Sequence, residues 1–292
     1  MGKLDATSRE TFQNIAPQDA VCPTNRELRW FKHLERHGPQ SSVRLFDVTR
    51  DTHRCKDTAL RQLQHLRAGG FLFLPPQQRA TERAEFNPYI YDLTPQATRW
   101  LSDRDVAEPT VRPTGHWWHG YMVSGITSEI DLAATRAGME YIPAHEILAR
   151  KGAPLGIPFG GKTLIPDQLF ALKYPTGFRL FMLEADRGTE PFASGAARKS
   201  LETSVLQYAH ILRHNTYKTH YGVQANLMVL FVFTAAHRAK RFLQLVADIA
   251  PQSATNILVQ VEHSEDRTKS TSLSILHRPW QRALNLDLSI ST

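Results

Sequence analysis

The chain has 292 residues, 41% of them apolar, a formal net charge of +7 and a pI near 9.5. That length suits two domains of ordinary size, and the apolar fraction excludes wholesale disorder. The basic excess is compatible with a polyanionic partner without requiring one.

Cys22 and Cys55 are the two cysteines and form no C-x-x-C pair, which excludes a disulfide framework and a cysteine-rich zinc site. Their scarcity fits a reducing, intracellular compartment. The first twenty residues are polar and lack the apolar region of a signal peptide. The longest apolar run, Leu227 to Phe233, is too short to cross a bilayer. The expectation is a soluble protein with no membrane role.

Residues 1–24 read as a polar leader, and residues 25–105 as a first domain. From Asn25, Leu28, Phe31 and Leu34 recur at helical spacing up to Gly38-Pro39. Ser41 or Ser42 caps a short second helix, and Lys56 to Ala68 form a third, with Leu60, Leu63 and Leu66 inward. Around its exposed side lie Arg50, Arg54, Lys56, Arg61, Gln64 and Arg67. "FLFLPP" and "YIYDLT" then predict a hairpin around a loop with Arg79, Glu82 and Arg83, and Thr94-Pro95 starts a closing helix. Three helices, a hairpin and a helix follow the order of a winged helix-turn-helix, whose third helix enters the major groove. A small helical protein-interaction domain is the alternative.

"AEPTVRPTGHWW" marks a boundary near residues 105–115, and a second domain runs over residues 116–292. His119 to Ala137 read as a helix with Glu129 toward its apolar side, where an acid is costly unless paired or used. His116 and His119 flank Trp117-Trp118 but have no further ligand nearby, so an aromatic-lined junction is the better reading than a metal pair. Thr163 to Tyr174, a "PTG" turn and Phe178 to Asp186 predict a hairpin; Ser194 to His214 and Ala235 to Ile249 predict helices; "LMVLFVF" and "NILVQVE" predict strands. The order describes a mixed α/β (α+β) sheet domain flanked by helices.

Glu184 and Asp186 stand two apart on one strand and therefore share a face. Asp167, within the first strand of the hairpin, folds back toward them, and Glu129 could complete the group. Convergent carboxylates suit Mg2+ or Mn2+, hard cations that activate water and bind phosphate oxygens. The same acids could instead be ion-paired to Arg179, Arg187 or Arg198. "HRAKR" (His237 to Arg241) reads as a solvated helix face, with phosphate contact as the alternative.

"PD" in one strand and an acid in the next, after a helix carrying Glu, resemble the PD-(D/E)XK nuclease superfamily, with Asp167, Glu184 and Glu129 as its acids. More narrowly, "YIYDLTPQATRWL", "IPDQLFAL", "LEADRGTEP" and "HRPWQRAL" resemble the replication-relaxation family of plasmids and other mobile elements. The resemblance covers roughly residues 25–285 and implies a winged helix joined to a nuclease-like domain. It implies double-stranded DNA as partner, other replication or mobilisation proteins, a second copy of the chain as a further candidate, and a cytoplasmic, nucleoid- or plasmid-associated place in a prokaryotic cell.

One departure bears on activity. Asp186 stands where that superfamily carries a lysine, and Lys199, Lys162 or Lys173 are the candidates to replace it. Two functions remain: a Mg2+-dependent endodeoxyribonuclease using Asp167, Glu184, Asp186, Glu129 and Lys199, or an inactive nuclease fold serving as a DNA-binding replication or transcription accessory factor.

Overall fold

The computed structural model describes residues 15–80, 88–112, 115–194, 199–262 and 275–291. The chain divides into two compact units, Met1–Thr110 with Gly115–Ser128 and Val111–Thr114 with Glu129–Thr292.

The first unit opens with α1 (Asn25–His37), where Thr24 and Glu27 form a capping box. Then come β1 (Gln40–Ser41), α2 (Ser42–Val48), α3 (Lys56–Ala68), β2 (Leu72–Phe73), a 3-10 turn at Pro76–Ala80, β3 (Ile90–Leu93) and α4 (Pro95–Ser102). β1 is an addition to the sequence expectation. It pairs with β3, giving a three-stranded antiparallel sheet in the order β1-β3-β2. Two residues are too few to show a strand period, so pairing alone reveals it. Trp30, Phe31, Leu34, Leu45, Leu63, Leu66 and Leu101 form the fully buried centre, and the Trp30 indole N–H donates to the Leu45 carbonyl. Of the expected charged loop, Arg79 lies in the 3-10 turn, whereas Glu82 and Arg83 fall outside the described residues.

α5 (Trp117–Arg136) runs two residues further toward the N-terminus than the periodicity predicts. In the second unit follow β4 (Glu140–Pro143), α6 (Ala144–Ala149), the small hairpin β5 (Ile157–Phe159) and β6 (Lys162–Leu164), then β7 (Gln168–Tyr174) and β8 (Gly177–Asp186). α7 (Leu201–His214), α8 (Thr216–Tyr221), β9 (Asn226–Phe233), α9 (Ala236–Ile249), β10 (Ile257–Val261), β11 (Trp280–Arg282) and β12 (Asn285–Leu288) complete it.

Seven strands form a mixed sheet in the order β12-β11-β10-β9-β8-β7-β4. β4 pairs with β7 and β7 with β8 in antiparallel fashion, whereas β8, β9 and β10 are parallel and joined by helical crossovers. Gly177, at φ 133°, supplies the backbone that closes the Pro175-Thr176 turn between β7 and β8. One buried cluster packs Leu180 and Met182 of β8, Val229, Phe231 and Phe233 of β9 and Val259 of β10 with Val205 and Tyr208 of α7 and Phe242 and Val246 of α9.

Two expectations are corrected. The strand predicted over Thr163 to Tyr174 is two strands, β6 and β7, separated at Ile165–Asp167; Pro166 has no N–H to offer a ladder, and Asp167 sits in the bend before β7 rather than within it. The helix predicted from Ser194 begins at Leu201, where the Ser200 hydroxyl accepts from the Thr203 N–H; residues 195–198 lie outside the described residues.

Candidate active site

Alternation along β8 decides where the two strand acids go. Leu180 and Met182 face the core cluster under α7 and α9, so Glu184 and Asp186 continue onto that same face at the strand's carboxyl end. Both are almost fully buried, at 5% and 4% exposure. A buried carboxylate needs donors or a cation, and each has a separate set.

Glu184 is held from two sides. The Tyr208 hydroxyl on α7 donates to Oε1 at 2.5 Å, and the Lys199 ammonium donates to Oε2 at 2.9 Å. Lys199 is also 3.4 Å from Glu190 Oε1, so one cation links the strand to the loop that follows it. Asp167 approaches from the bend before β7: its N–H donates to the Leu183 carbonyl, and its Oδ2 accepts from the Ala185 N–H at 2.8 Å. With Gln168 opposite Leu183, this register brings Asp167 level with Glu184.

The electrostatics follow. Burial, reinforced by the negative charge of Asp167, pushes Glu184 up to about 7, against the lowering pull of Lys199 and Tyr208. Burial alone would pull Lys199 down, but Glu184, Glu190 and Asp167 outweigh it and hold the ammonium charged. Burial and the neighbouring Glu184 keep the Tyr208 hydroxyl protonated.

Asp186 has a different environment. Its Oδ2 accepts from Arg238 of α9, at 2.7 Å from Nε and 2.6 Å from Nη2, and its Oδ1 accepts from the Gly188 N–H. Arg238 also donates to the Glu190 carbonyl at 2.7 Å. Asp186 therefore acts as an anchor for the loop 187–190. Among the described residues, Asp167, Glu184 and Asp186 do not gather into a three-carboxylate group.

Glu129 is likewise engaged elsewhere. Its Oε1 accepts from the Ile275 N–H and lies 3.7 Å from Arg278, which pairs with Glu262 at 2.8 Å. So the structure brings together Asp167, Glu184 and Lys199, and gives Asp186 and Glu129 other partners. The ion pairs read from sequence with Arg179 or Arg187 give way to Lys199 and Arg238, and Arg198 lies outside the described residues. Tyr208 was not singled out from the sequence, and Glu190 and Arg238 entered only as members of the runs LEADRGTEP and HRAKR, with no role of their own. Tyr208 had a faint signal, a polar tip on an apolar helix face; Arg238 lay hidden in a basic run.

In the first unit, Arg54, Lys56, Arg61 and Gln64 are exposed on or just before α3, opposite buried Ala59, Leu63 and Leu66. Arg50 instead pairs with Asp47 and lies over the Phe46 ring, and Arg67 is half-buried near Tyr89 and Tyr91.

A model of the family described as replication-relaxation matches residues 31–227, more than half of the chain. A search of curated proteins returns no significant match. Among solved structures, the SdaI restriction endonuclease is 15% identical, with 70% of this chain and 74% of that chain covered, at a TM-score of 0.18.

Proposed function

The chain belongs to the replication-relaxation family, and on that premise we propose that it is a DNA-binding protein whose second unit carries a metal-dependent endonuclease site. The observation that supports this most is Lys199 at 2.9 Å from Glu184. Asp186 stands where the nuclease superfamily has its lysine, and Lys199, from a different stretch of chain, brings an ammonium to the neighbouring acid.

Asp167 and Glu184 are hard oxygen donors held side by side, and a divalent cation would offset what raises Glu184, first its burial and then the neighbouring Asp167 charge. The donor set fits Mg2+ or Mn2+ with two carboxylates; Asp186 is not part of it. When bound, such an ion would activate water and stabilise charge on a phosphodiester. The chain's own residues do the rest. The Ala185 N–H and the Tyr208 hydroxyl orient the two carboxylates, Lys199 holds positive charge where a pentacovalent phosphate develops negative charge, and Arg238 fixes the loop that carries Glu190.

The first unit supplies the grip on DNA. Its order α1-β1-α2-α3-β2-β3 supports a winged helix, with Arg54, Lys56, Arg61 and Gln64 on the exposed face of α3 for the groove. Lys56→Ala with Arg61→Ala is expected to weaken duplex binding and to lower the salt slope by about 2; an unchanged affinity across a salt series would contradict that assignment. For the second unit the test is nicking of supercoiled plasmid with Mg2+ or Mn2+, lost in Asp167→Ala and Glu184→Ala. Intact DNA binding with no cleavage would favour the accessory-factor reading.

A further inference from the structure

The run His237 to Arg241 is the one sequence feature that the site above absorbs only in part. Arg238 is used up by Asp186 and the Glu190 carbonyl. Arg241, one turn later on α9, is exposed, and its guanidinium lies 4.1 Å from the centroid of the Phe192 ring. Arg238 lies 5.0 Å from the same ring. Among the described residues no carboxylate pairs with Arg241.

That difference matters chemically. An arginine paired with an acid has spent its charge, whereas one laid over an aromatic ring keeps its charge and leaves its in-plane N–H groups for an acceptor. The backbone that carries the ring is itself held. The Phe192 carbonyl accepts from the Glu202 N–H at 2.9 Å, and the Pro191 carbonyl accepts from the Leu201 N–H at 3.0 Å, which ties the segment to the first turn of α7. The same segment carries Glu190, which meets Lys199 and hence Glu184. Among the described residues Arg241 is therefore a pre-oriented cation without an acidic partner, placed over the segment whose Glu190 meets Lys199 and, through it, Glu184. Lys240, also exposed, stands next to it.

We propose that Arg241, held over Phe192, is a phosphate-binding residue that seats one backbone strand of duplex DNA beside the Asp167–Glu184 pair. A strand entering a site lined by Asp167, Glu184 and Glu190 meets like charge, and a fixed guanidinium at its margin offsets that repulsion and sets the register. The inference rests on the reading of the protein as one that acts on DNA, and it adds the residue that positions the strand.

The test is equilibrium binding of a DNA duplex by the full chain over a salt series, for wild type, Arg241→Gln, Phe192→Leu and, as a control for charge alone, Arg213→Gln at the far end of α7. Arg241→Gln is expected to weaken binding about three- to tenfold and to lower the slope of log affinity against log salt by about 1. Phe192→Leu leaves every charge in place and is expected to weaken binding by a smaller factor, because the guanidinium loses its fixed pose. Arg213→Gln is expected to leave the slope unchanged.

If wild type binds DNA in a salt-dependent way and Arg241→Gln matches it in affinity and slope, the clamp is wrong and the DNA reading stands. If Arg241→Gln weakens binding but Phe192→Leu does not, the ring-held pose is wrong. If the slope falls as expected while no cleavage is seen under any metal, the clamp stands and the nuclease reading falls. Wild type that fails to bind duplex DNA at low salt overturns both.

Discussion

Lys199 and Glu184 are fifteen residues apart in sequence and 2.9 Å apart in space, one just before α7 and the other near the end of β8. Because the Lys199 side chain is 43% exposed and Glu184 can take up a proton in its absence, Lys199→Ala is expected to stay folded. Removing a fixed positive charge from the place where negative charge develops is expected to cut plasmid nicking by about 100-fold or more. Nicking rates beside a thermal melt check both halves of this statement.

Tyr208 is buried and donates the hydroxyl bond to Glu184 while its ring meets Phe231 edge-on at 5.8 Å. Tyr208→Phe keeps that packing and removes one donor from a buried carboxylate, so a loss of about 1–3 kcal/mol is expected by denaturant titration. A variant as stable as wild type would mean that the hydroxyl contributes nothing to holding Glu184.

The raised carboxyl of Glu184 gives a signed pH dependence. Its pKa of about 7 in the folded chain lies above its ordinary value of 4.5, so on raising the pH the unfolded chain releases this proton first. The stability it contributes is full below 4.5 and is lost as pH rises through about 7. Relative to Glu184→Gln, wild type is expected to lose on the order of 1–3 kcal/mol across that window. Parallel stability curves for the two proteins would contradict it.

Arg238 neutralises Asp186, whose side chain is 3% exposed. Arg238→Ala leaves that carboxylate buried and unpaired, with an expected cost of about 3–5 kcal/mol. Adding Asp186→Asn removes the stranded charge, so the double variant is expected to be more stable than Arg238→Ala alone. Additive losses in the double-mutant cycle would mean that the two side chains do not couple.

What the sequence made legible is what short-range period carries. Leu28, Phe31 and Leu34 marked α1, the pair Gly69-Gly70 marked the end of α3, and the apolar run 227–233 marked β9. The i, i+2 spacing of Glu184 and Asp186 placed both on one face, and the structure keeps them there. Their fates diverged for reasons no local pattern holds. Tyr208 and Lys199 reach Glu184 across 24 and 15 residues, and Arg238 reaches Asp186 across 52. β4 and β5 escaped notice because they are only four and three residues long, β6 was merged with β7 into one strand, and β11 and β12 were missed because a hairpin of that size shows its identity only by pairing with β10.

The most direct test of the central claim is nicking of supercoiled plasmid by the full chain in Mg2+ or Mn2+, for wild type, Asp167→Ala and Glu184→Ala. The account predicts metal-dependent nicking by wild type that both variants lose while still binding duplex DNA. Wild type that binds DNA but nicks nothing with either metal, or variants that nick as fast as wild type, would contradict it.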